Sequence, residues 1–260
     1  MPELPEAETL CRQLNEVVTD LKILKIQILD SKLGQIENLA GMKIQFIYRE
    51  GKGLNLQLDD GRTLMIHLRM TGRLLWQATP SGPLPHTRFM IRFQEGRLDL
   101  IDPRRFATVK VQKAATRRPR EEDRRRYLSP QDLWETGRTR KMPVKSFLLD
   151  QRFISGLGNI YACEILHAVS IHPNCKTEDL SLADWQRIAA AAQTILNKAI
   201  ACRGTTVSDW RDLFGQAGEY QHHLKVYSKE GEPCQRCGTA IERFKLAGRG
   251  TYFCPTCQKR

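Results

Sequence analysis

No stretch of the 260-residue chain reaches the ~18 consecutive apolar residues that a membrane-spanning helix needs, and no basic helix carries an apolar face for a bilayer surface. A secretion signal is missing too. The opening Met1-Pro2-Glu3-Leu4-Pro5 is neither basic nor apolar enough, so a cytoplasmic, nucleoid-associated protein is expected. There is no Walker lysine and no strand-bounded dinucleotide fingerprint, which argues against a nucleotide cofactor. There are no internal repeats, which argues against solenoids and propellers. The chain is also short of acid: 29 Asp and Glu face 41 Lys and Arg, a net charge of +12. With membranes set aside, the polyanion that balances this charge is nucleic acid.

A disulfide framework is not expected either. Cys11, Cys163, Cys175 and Cys202 are scattered singly through segments that read as helices or their edges, the pattern of reduced thiols. The other four cysteines follow Cys234-x2-Cys237-x16-Cys254-x2-Cys257, the spacing of a four-thiolate zinc site. Each pair supplies a tight knuckle, and the intervening segment, with Gly238, Gly248 and Gly250, suits a β-hairpin. Four protein ligands close the coordination sphere, so the single Zn²⁺ is structural. The seven Lys and Arg against three Asp and Glu in residues 229–260 make the hairpin a presenter of positive charge. Arg249, near its tip, is the natural phosphate contact.

The hydrophobic period divides the chain. Leu4, Ala7, Leu10, Cys11, Leu14, Val17 and Val18 fall on one helical stripe, with Pro2 at an exposed helix start. Alternation follows: Met42, Ile44, Phe46 and Tyr48; Leu54, Leu56 and Leu58; a turn at Asp60-Gly61; then Leu64, Ile66 and Leu68. Phe89, Ile91 and Phe93 pair with Leu98 and Leu100, and residues 108–111 add a last strand. The pattern predicts an α+β fold: an N-terminal antiparallel β-sandwich with one packed helix over residues 1–112, then a basic interdomain linker over 113–128. A helical domain follows over 129–222, opening at Ser129-Pro130, and a zinc finger over 223–260.

Chemistry gathers at the N-terminus. Once Met1 is removed, Pro2 carries a secondary amine beside Glu3 and Glu6. An α-amino group titrates near ~8, and the positive end of a following helix dipole favours its neutral, nucleophilic form. Such an amine can attack C1′ of a deoxyribose while an adjacent carboxyl moves protons. Other stretches point to DNA. Asp102-Pro103-Arg104-Arg105-Phe106 holds two guanidinium groups and an aromatic, and His67-Leu68-Arg69-Met70-Thr71-Gly72 places Met70 at a strand end. An Arg can fill the space of an extruded base while apolar side chains wedge the stack. The glycines of Gly156-Leu157-Gly158-Asn159 precede a helix start, where backbone N–H groups can bind phosphate. Each stretch also has a plainer reading: a helix-capping first turn, a surface loop, a core methionine, an interhelical turn.

Taken jointly, these segments resemble the bacterial formamidopyrimidine-DNA glycosylases. Pro-Glu-Leu-Pro-Glu, His-Leu-x-Met-Thr-Gly, Asp-Pro-Arg-Arg-Phe, Leu148-Leu149-Asp150-Gln151, Gly-Leu-Gly-Asn-Ile-Tyr, Ile171-His172-Pro173, Gly204-Thr205-Thr206 and the zinc pattern occur in that family's order along essentially the whole chain. The resemblance implies that the helical domain is of the helix-two-turns-helix kind. It implies a monomeric base-excision-repair enzyme, at once DNA glycosylase and abasic-site lyase, acting on oxidised purines in double-stranded DNA. Pro2 is implied as nucleophile, Glu3 as proton shuttle and Glu6 as a supporting carboxylate. Lys52, His67, Asn159, Tyr227 and Arg249 are implied as DNA contacts, Lys52 and Arg249 close to the chemistry. Met70, Arg104 and Phe106 are implied as the void-filling group. Departures from the family pattern are Ala107 where glycine is usual, which restricts the wedge loop, Cys163 where Asp or Ser is usual, and Ser228-Lys229 in place of Gly-Arg. Two alternatives stay open: an endonuclease VIII-like enzyme for oxidised pyrimidines, against which Leu4 argues because glycine is commoner there, and a non-catalytic zinc protein, should Met1 block Pro2.

Overall fold

The computed structural model describes residues 2–113 and 129–259. Met1 and, apart from Lys113, the basic linker lie outside the described residues. By contacts the chain forms two compact units, Met1–Arg118 with Ile200–Gln221, and Pro119–Ala199 with His222–Arg260.

The first unit opens with α1 (Leu4–Val18), which has Pro5 in its first turn and a Glu3/Glu6 capping box. Asp20, in the left-handed region at φ 64°, turns the chain out of it. Two four-stranded antiparallel sheets follow. One has the order β2 (Ile44–Glu50), β3 (Gly53–Leu58), β4 (Thr63–His67), β8 (Thr108–Gln112); the other has the order β1 (Lys25–Ile28), β6 (Thr87–Arg92), β7 (Arg97–Ile101), β5 (Arg73–Gln77). Leu10, Leu14 and Val18 of α1 share one core with Leu54, Leu56, Leu58, Leu64 and Ile66 of the first sheet and Phe89, Ile91, Leu98 and Leu100 of the second. Each such side chain contributes about 2 kcal/mol on burial.

Two departures from the sequence pattern have physical causes. A bulge between Ile44 and Phe46 breaks the alternation, so Ile47 enters the core while Phe46 stays half-buried. The pattern also leaves out β1 and β5, the two edge strands of the second sheet.

Residues 200–221, the last two of the helix Leu182–Ala201 and the segment after it, pack with the first unit. Trp210 and Leu213 enter its core, Trp76 N–H donates to the Leu213 carbonyl at 2.9 Å, and the Gln13 side chain donates to Asp212 at 3.0 Å and accepts from Leu213 N–H at 3.0 Å.

The second unit holds α2 (Pro130–Gly137), α3 (Val144–Leu149), α4 (Asn159–Ala168) and α5 (Leu182–Ala201), ending in the hairpin β9 (Glu242–Leu246) and β10 (Arg249–Phe253). Ser129 caps α2 by accepting Asp132 N–H at 3.3 Å. The glycine turn before α4 is braced by Gln151, whose amide accepts Gly156 N–H and donates to the Leu157 carbonyl, both at 2.8 Å. The stripe on α5 buries Trp185, Ile188, Ala192, Leu196 and Ala199. Among the described residues no helix is long and apolar enough to cross a membrane.

Candidate functional site

At the N-terminus Pro2 is buried, not exposed as the helical stripe suggests. The reason lies in residues far away in sequence: the Gly204-Thr205 turn closes on the first turn of α1. Glu6, 2% exposed, accepts Glu3 N–H at 2.7 Å with one oxygen and Thr205 N–H at 2.7 Å with the other. Gly204 has φ +83°, and a Cβ there would stand 2.7 Å from the Glu6 carboxylate. Only glycine satisfies both conditions. Glu3, also buried, is the N-cap residue beside Pro2. The arrangement sets two carboxyls against a helix N-terminus, where negative charge is stabilised.

Lys52 sits in the two-residue turn between β2 and β3, nine-tenths buried. Burial, then Arg69 and Lys52, push His67 down to about 4, so its imidazole is neutral near pH 7. Its Nδ1 accepts Arg69 N–H at 3.0 Å, which leaves the proton on Nε2. His67, Asn55, Arg69 and Lys110 help line a cleft of about 380 Å³ on the face of the first sheet away from the core.

The two turns carrying Met70 and Arg104 are tied together. Asp102, fully buried, accepts the Thr71 hydroxyl with one oxygen and Phe106 N–H (2.6 Å), Ala107 N–H (2.7 Å) and the buried Arg88 (3.1 Å) with the other. This staple holds Arg105 in the left-handed region at φ 59°, a conformation that costs a non-glycine residue about 1 kcal/mol. Met70 (45% exposed) and Phe106 (43%) project outward, against the habit of large apolar side chains. The Arg104 guanidinium lies 4.8 Å from the Phe106 ring centre. Ala107 does not restrict the loop as the departure from glycine suggests. Its backbone avoids the left-handed region and its methyl joins the core.

In the second unit the hairpin turn is Ala247-Gly248, both at positive φ, with Leu246 facing Arg249 across it. That is the two-residue turn whose twist matches the strands, and it leaves Arg249 exposed at the tip. The neighbouring Gly250 carbonyl accepts from Asn159 at 3.0 Å and from the buried Lys145 at 3.1 Å; Lys145 also donates to the Thr251 hydroxyl at 2.7 Å. Tyr227 packs edge-on against Tyr252 at 5.0 Å. Its segment is held by Glu164, whose carboxylate accepts N–H groups of Lys225, Val226 and Tyr227 at 2.8 to 3.0 Å. Lys145 and Glu164 escaped the sequence reading because each acts on partners distant in the chain, and Gly204, Thr205 and Asp102 entered it only as parts of motifs, with no role of their own.

The four cysteine sulfurs lie within 4.8 Å of one another, Cys234 and Cys257 at 4.0 Å and Cys237 and Cys254 at 3.4 Å. Tetrahedral Zn²⁺ with bonds of about 2.3 Å asks for separations of roughly 3.8 Å, so the set fits the ion. Burial and then the adjacent sulfurs push the Cys257 thiol up to about 12, an electrostatic conflict that a divalent cation relieves. His167 Nε2, 3.6 Å from the Cys234 sulfur, supports the set from α4, and Cys163 packs beside Cys234 and Cys254 in a small apolar cluster. The site holds one structural zinc.

Three family models match the chain: the formamidopyrimidine-DNA glycosylase N-terminal domain over residues 1–109, the formamidopyrimidine-DNA glycosylase H2TH domain over 121–210, and a zinc finger found in FPG and IleRS over 231–260. The formamidopyrimidine-DNA glycosylase of Pelotomaculum thermopropionicum is 40% identical over 278 residues, covering 100% of this chain and 99% of the relative. Among solved structures, a Lactococcus lactis FPG mutant bound to Fapy-dG-containing DNA is 31% identical with a TM-score of 0.90, each chain covered in full. The wild-type L. lactis protein bound to DNA containing an oxidised pyrimidine is 33% identical with a TM-score of 0.88, again over both full lengths. The fold, the four-cysteine zinc site and these full-length matches place the chain in the formamidopyrimidine-DNA glycosylase family, the DNA glycosylases of base excision repair.

Proposed function

We propose that this glycosylase is bifunctional, removing oxidised purines such as 8-oxoguanine and formamidopyrimidines from duplex DNA and then cleaving the strand as an abasic-site lyase. With Met1 removed, the Pro2 nitrogen bonds to C1′ of the extruded nucleotide. The glycosidic bond breaks, and the base leaves with a proton. The sugar ring opens to an iminium as O4′ takes a second proton, Glu3 serving as the shuttle. Loss of the C2′ proton expels the 3′ phosphate, a further elimination expels the 5′ phosphate, and water releases Pro2. The observation that carries this reading is the buried Pro2-Glu3-Glu6 cluster, with Glu6 committed to two backbone N–H groups. That commitment makes Glu6 a positioning group and leaves the proton work to Glu3.

Lys52, Asn159, Tyr227 and Arg249 hold the phosphates, Lys52 and Arg249 next to the reacting nucleotide, and His67 is a further DNA contact. Met70, Arg104 and Phe106 occupy the space the nucleotide vacates. Zinc shapes the hairpin and takes no part in bond making. The chain works as a monomer, with the sandwich (1–112) supplying the nucleophile, residues 200–221 bracing it through Thr205 and Glu6, and the rest of the helical segment (129–222) and the zinc finger (223–260) supplying grip. Borohydride trapping on an 8-oxoguanine duplex tests the mechanism. Pro2→Gly, or protein with a blocked N-terminus, loses the covalent adduct while still binding DNA; undiminished trapping by the blocked protein would transfer the role to a lysine. An oxidised-pyrimidine reading is favoured by one observation, the L. lactis complex with such DNA. A lesion panel decides: faster release of pyrimidine than of purine lesions reverses the assigned preference.

A further inference from the structure

Two arginines stand side by side in the 102–107 turn, and they have opposite fates. Arg104 lies against Phe106, whereas Arg105 folds back onto Asp30, donating to its carboxylate from Nε at 2.9 Å and from a terminal nitrogen. The other calls on Asp30 come from the same neighbourhood. Arg88 donates to it at 2.6 Å and, through another nitrogen, to Asp102 and the Ala107 carbonyl at the base of the turn. Lys32 N–H donates to it at 3.0 Å, opening a single helical turn at Ser31–Leu33. That turn brings the Lys32 ammonium to 5.7 Å from the Phe106 ring centre.

We infer that Asp30 is a positioning residue for base extrusion: by binding Arg105 it anchors the turn that presents Arg104 to the orphaned base, and by starting the Ser31–Leu33 turn it places a second cation on Phe106. The inference rests on the void-filling reading of Arg104 above. Its physical basis is anchorage. Arg104 and Arg105 are neighbours in one turn, and with either partner of the Asp30–Arg105 pair removed that turn keeps only the Asp102 staple. The turn then samples several arrangements, and the one that fills the void is less populated.

The test uses the full-length, zinc-loaded protein. Single-turnover excision of 8-oxoguanine from a paired duplex is compared with cleavage at a preformed abasic site, alongside the fluorescence of 2-aminopurine opposite the lesion as a report of unstacking. Arg105→Gln, an exposed substitution that leaves Arg88 its partner, is the primary variant. Asp30→Asn and Asp30→Glu accompany it. Arg105→Gln and Asp30→Asn are expected to lower the ratio of excision to abasic-site cleavage by about tenfold and slow the fluorescence rise; Asp30→Glu restores most of it. The double variant falls no further than either single one, because both remove the same contact. A lowered ratio in Arg104→Ala beside an unchanged one in Arg105→Gln overturns the inference alone. An unchanged ratio in Arg104→Ala removes the void-filling reading and the inference with it. Equal loss of all rates, tracking the melting temperature, makes Asp30 a stability residue only and overturns its positioning role.

Discussion

Arg104 and Arg249 both stand on exposed turns, but the turns are built on different principles. The Arg249 hairpin takes its shape from a two-residue turn and a metal knot, with Lys145 and Asn159 gripping the Gly250 carbonyl. The Arg104 turn has no metal; a single carboxylate, Asp102, gathers its backbone N–H groups and a buried arginine. A metal knot is all or none, since coordination and folding are one equilibrium. A carboxylate staple is graded and loosens one hydrogen bond at a time. The proposed roles match: phosphate grip wants a rigid cation, while a wedge that enters and leaves the stack wants a turn that is held but adjustable.

The comparison is broken most severely by removing the metal. Chelation, or Cys237→Ala, takes away coupling on the order of 10 kcal/mol; duplex affinity should fall by about two orders of magnitude while Leu10 and its core stay folded, as native-state hydrogen exchange would reveal. Exchange protection lost equally throughout the chain would contradict the local character of the knot. Next comes Asp102→Asn, which keeps shape but removes the charge facing Arg88, for a cost of about 3 kcal/mol measurable by denaturant unfolding. A cost near zero would mean that the neutral amide serves the turn as well as the carboxylate.

Arg249→Ala is milder. Binding should weaken by a similar factor on every sequence, and the slope of affinity against salt should drop by about one unit. An unchanged slope would place Arg249 in solvent.

Smallest near neutrality is the effect of acid on the wedge turn. Burial pushes the Asp102 carboxyl up, but Ala107 N–H, the Thr71 hydroxyl, Phe106 N–H and Arg88 together bring it below the ordinary range. A carboxyl whose folded value is depressed stabilises the fold above its unfolded pKa of about 3.9 and loses that contribution only as pH falls through the lower folded value. The staple should therefore survive mild acid in which the thiolates already take up protons and release zinc. Loss of wedge function at a higher pH than loss of zinc, followed by titrating excision and zinc release together, would reverse the order.

What the sequence makes legible is what neighbours decide. Helix α1 spans the stripe read from residues 4–18, and the cysteine spacing places the hairpin, because 3.6-residue periodicity and knuckle geometry are local. Strand β1, Lys25-Ile26-Gln27-Ile28, alternates but is only four residues long, and β5, Arg73-Leu74-Leu75-Trp76-Gln77, breaks its alternation with three apolar residues in a row, so neither declares itself. The contacts that complete the candidate site are invisible for a different reason. Glu6 with Thr205, Asp30 with Arg105 and Glu164 with Val226 join residues 199, 75 and 62 positions apart, and nothing in either local segment names its partner.

One position has a consequence for how far a chain of this design can drift. At 204 the backbone rejects L side chains and the Glu6 carboxylate occupies the only place a β-carbon could go. Val207 and Phe214 are under no such double veto and are about half exposed. Lineages can therefore vary these two positions, while Trp210 and Leu213 stay tied to the core and Gly204 leaves room for the Glu6 carboxyl that joins Thr205 to the start of α1.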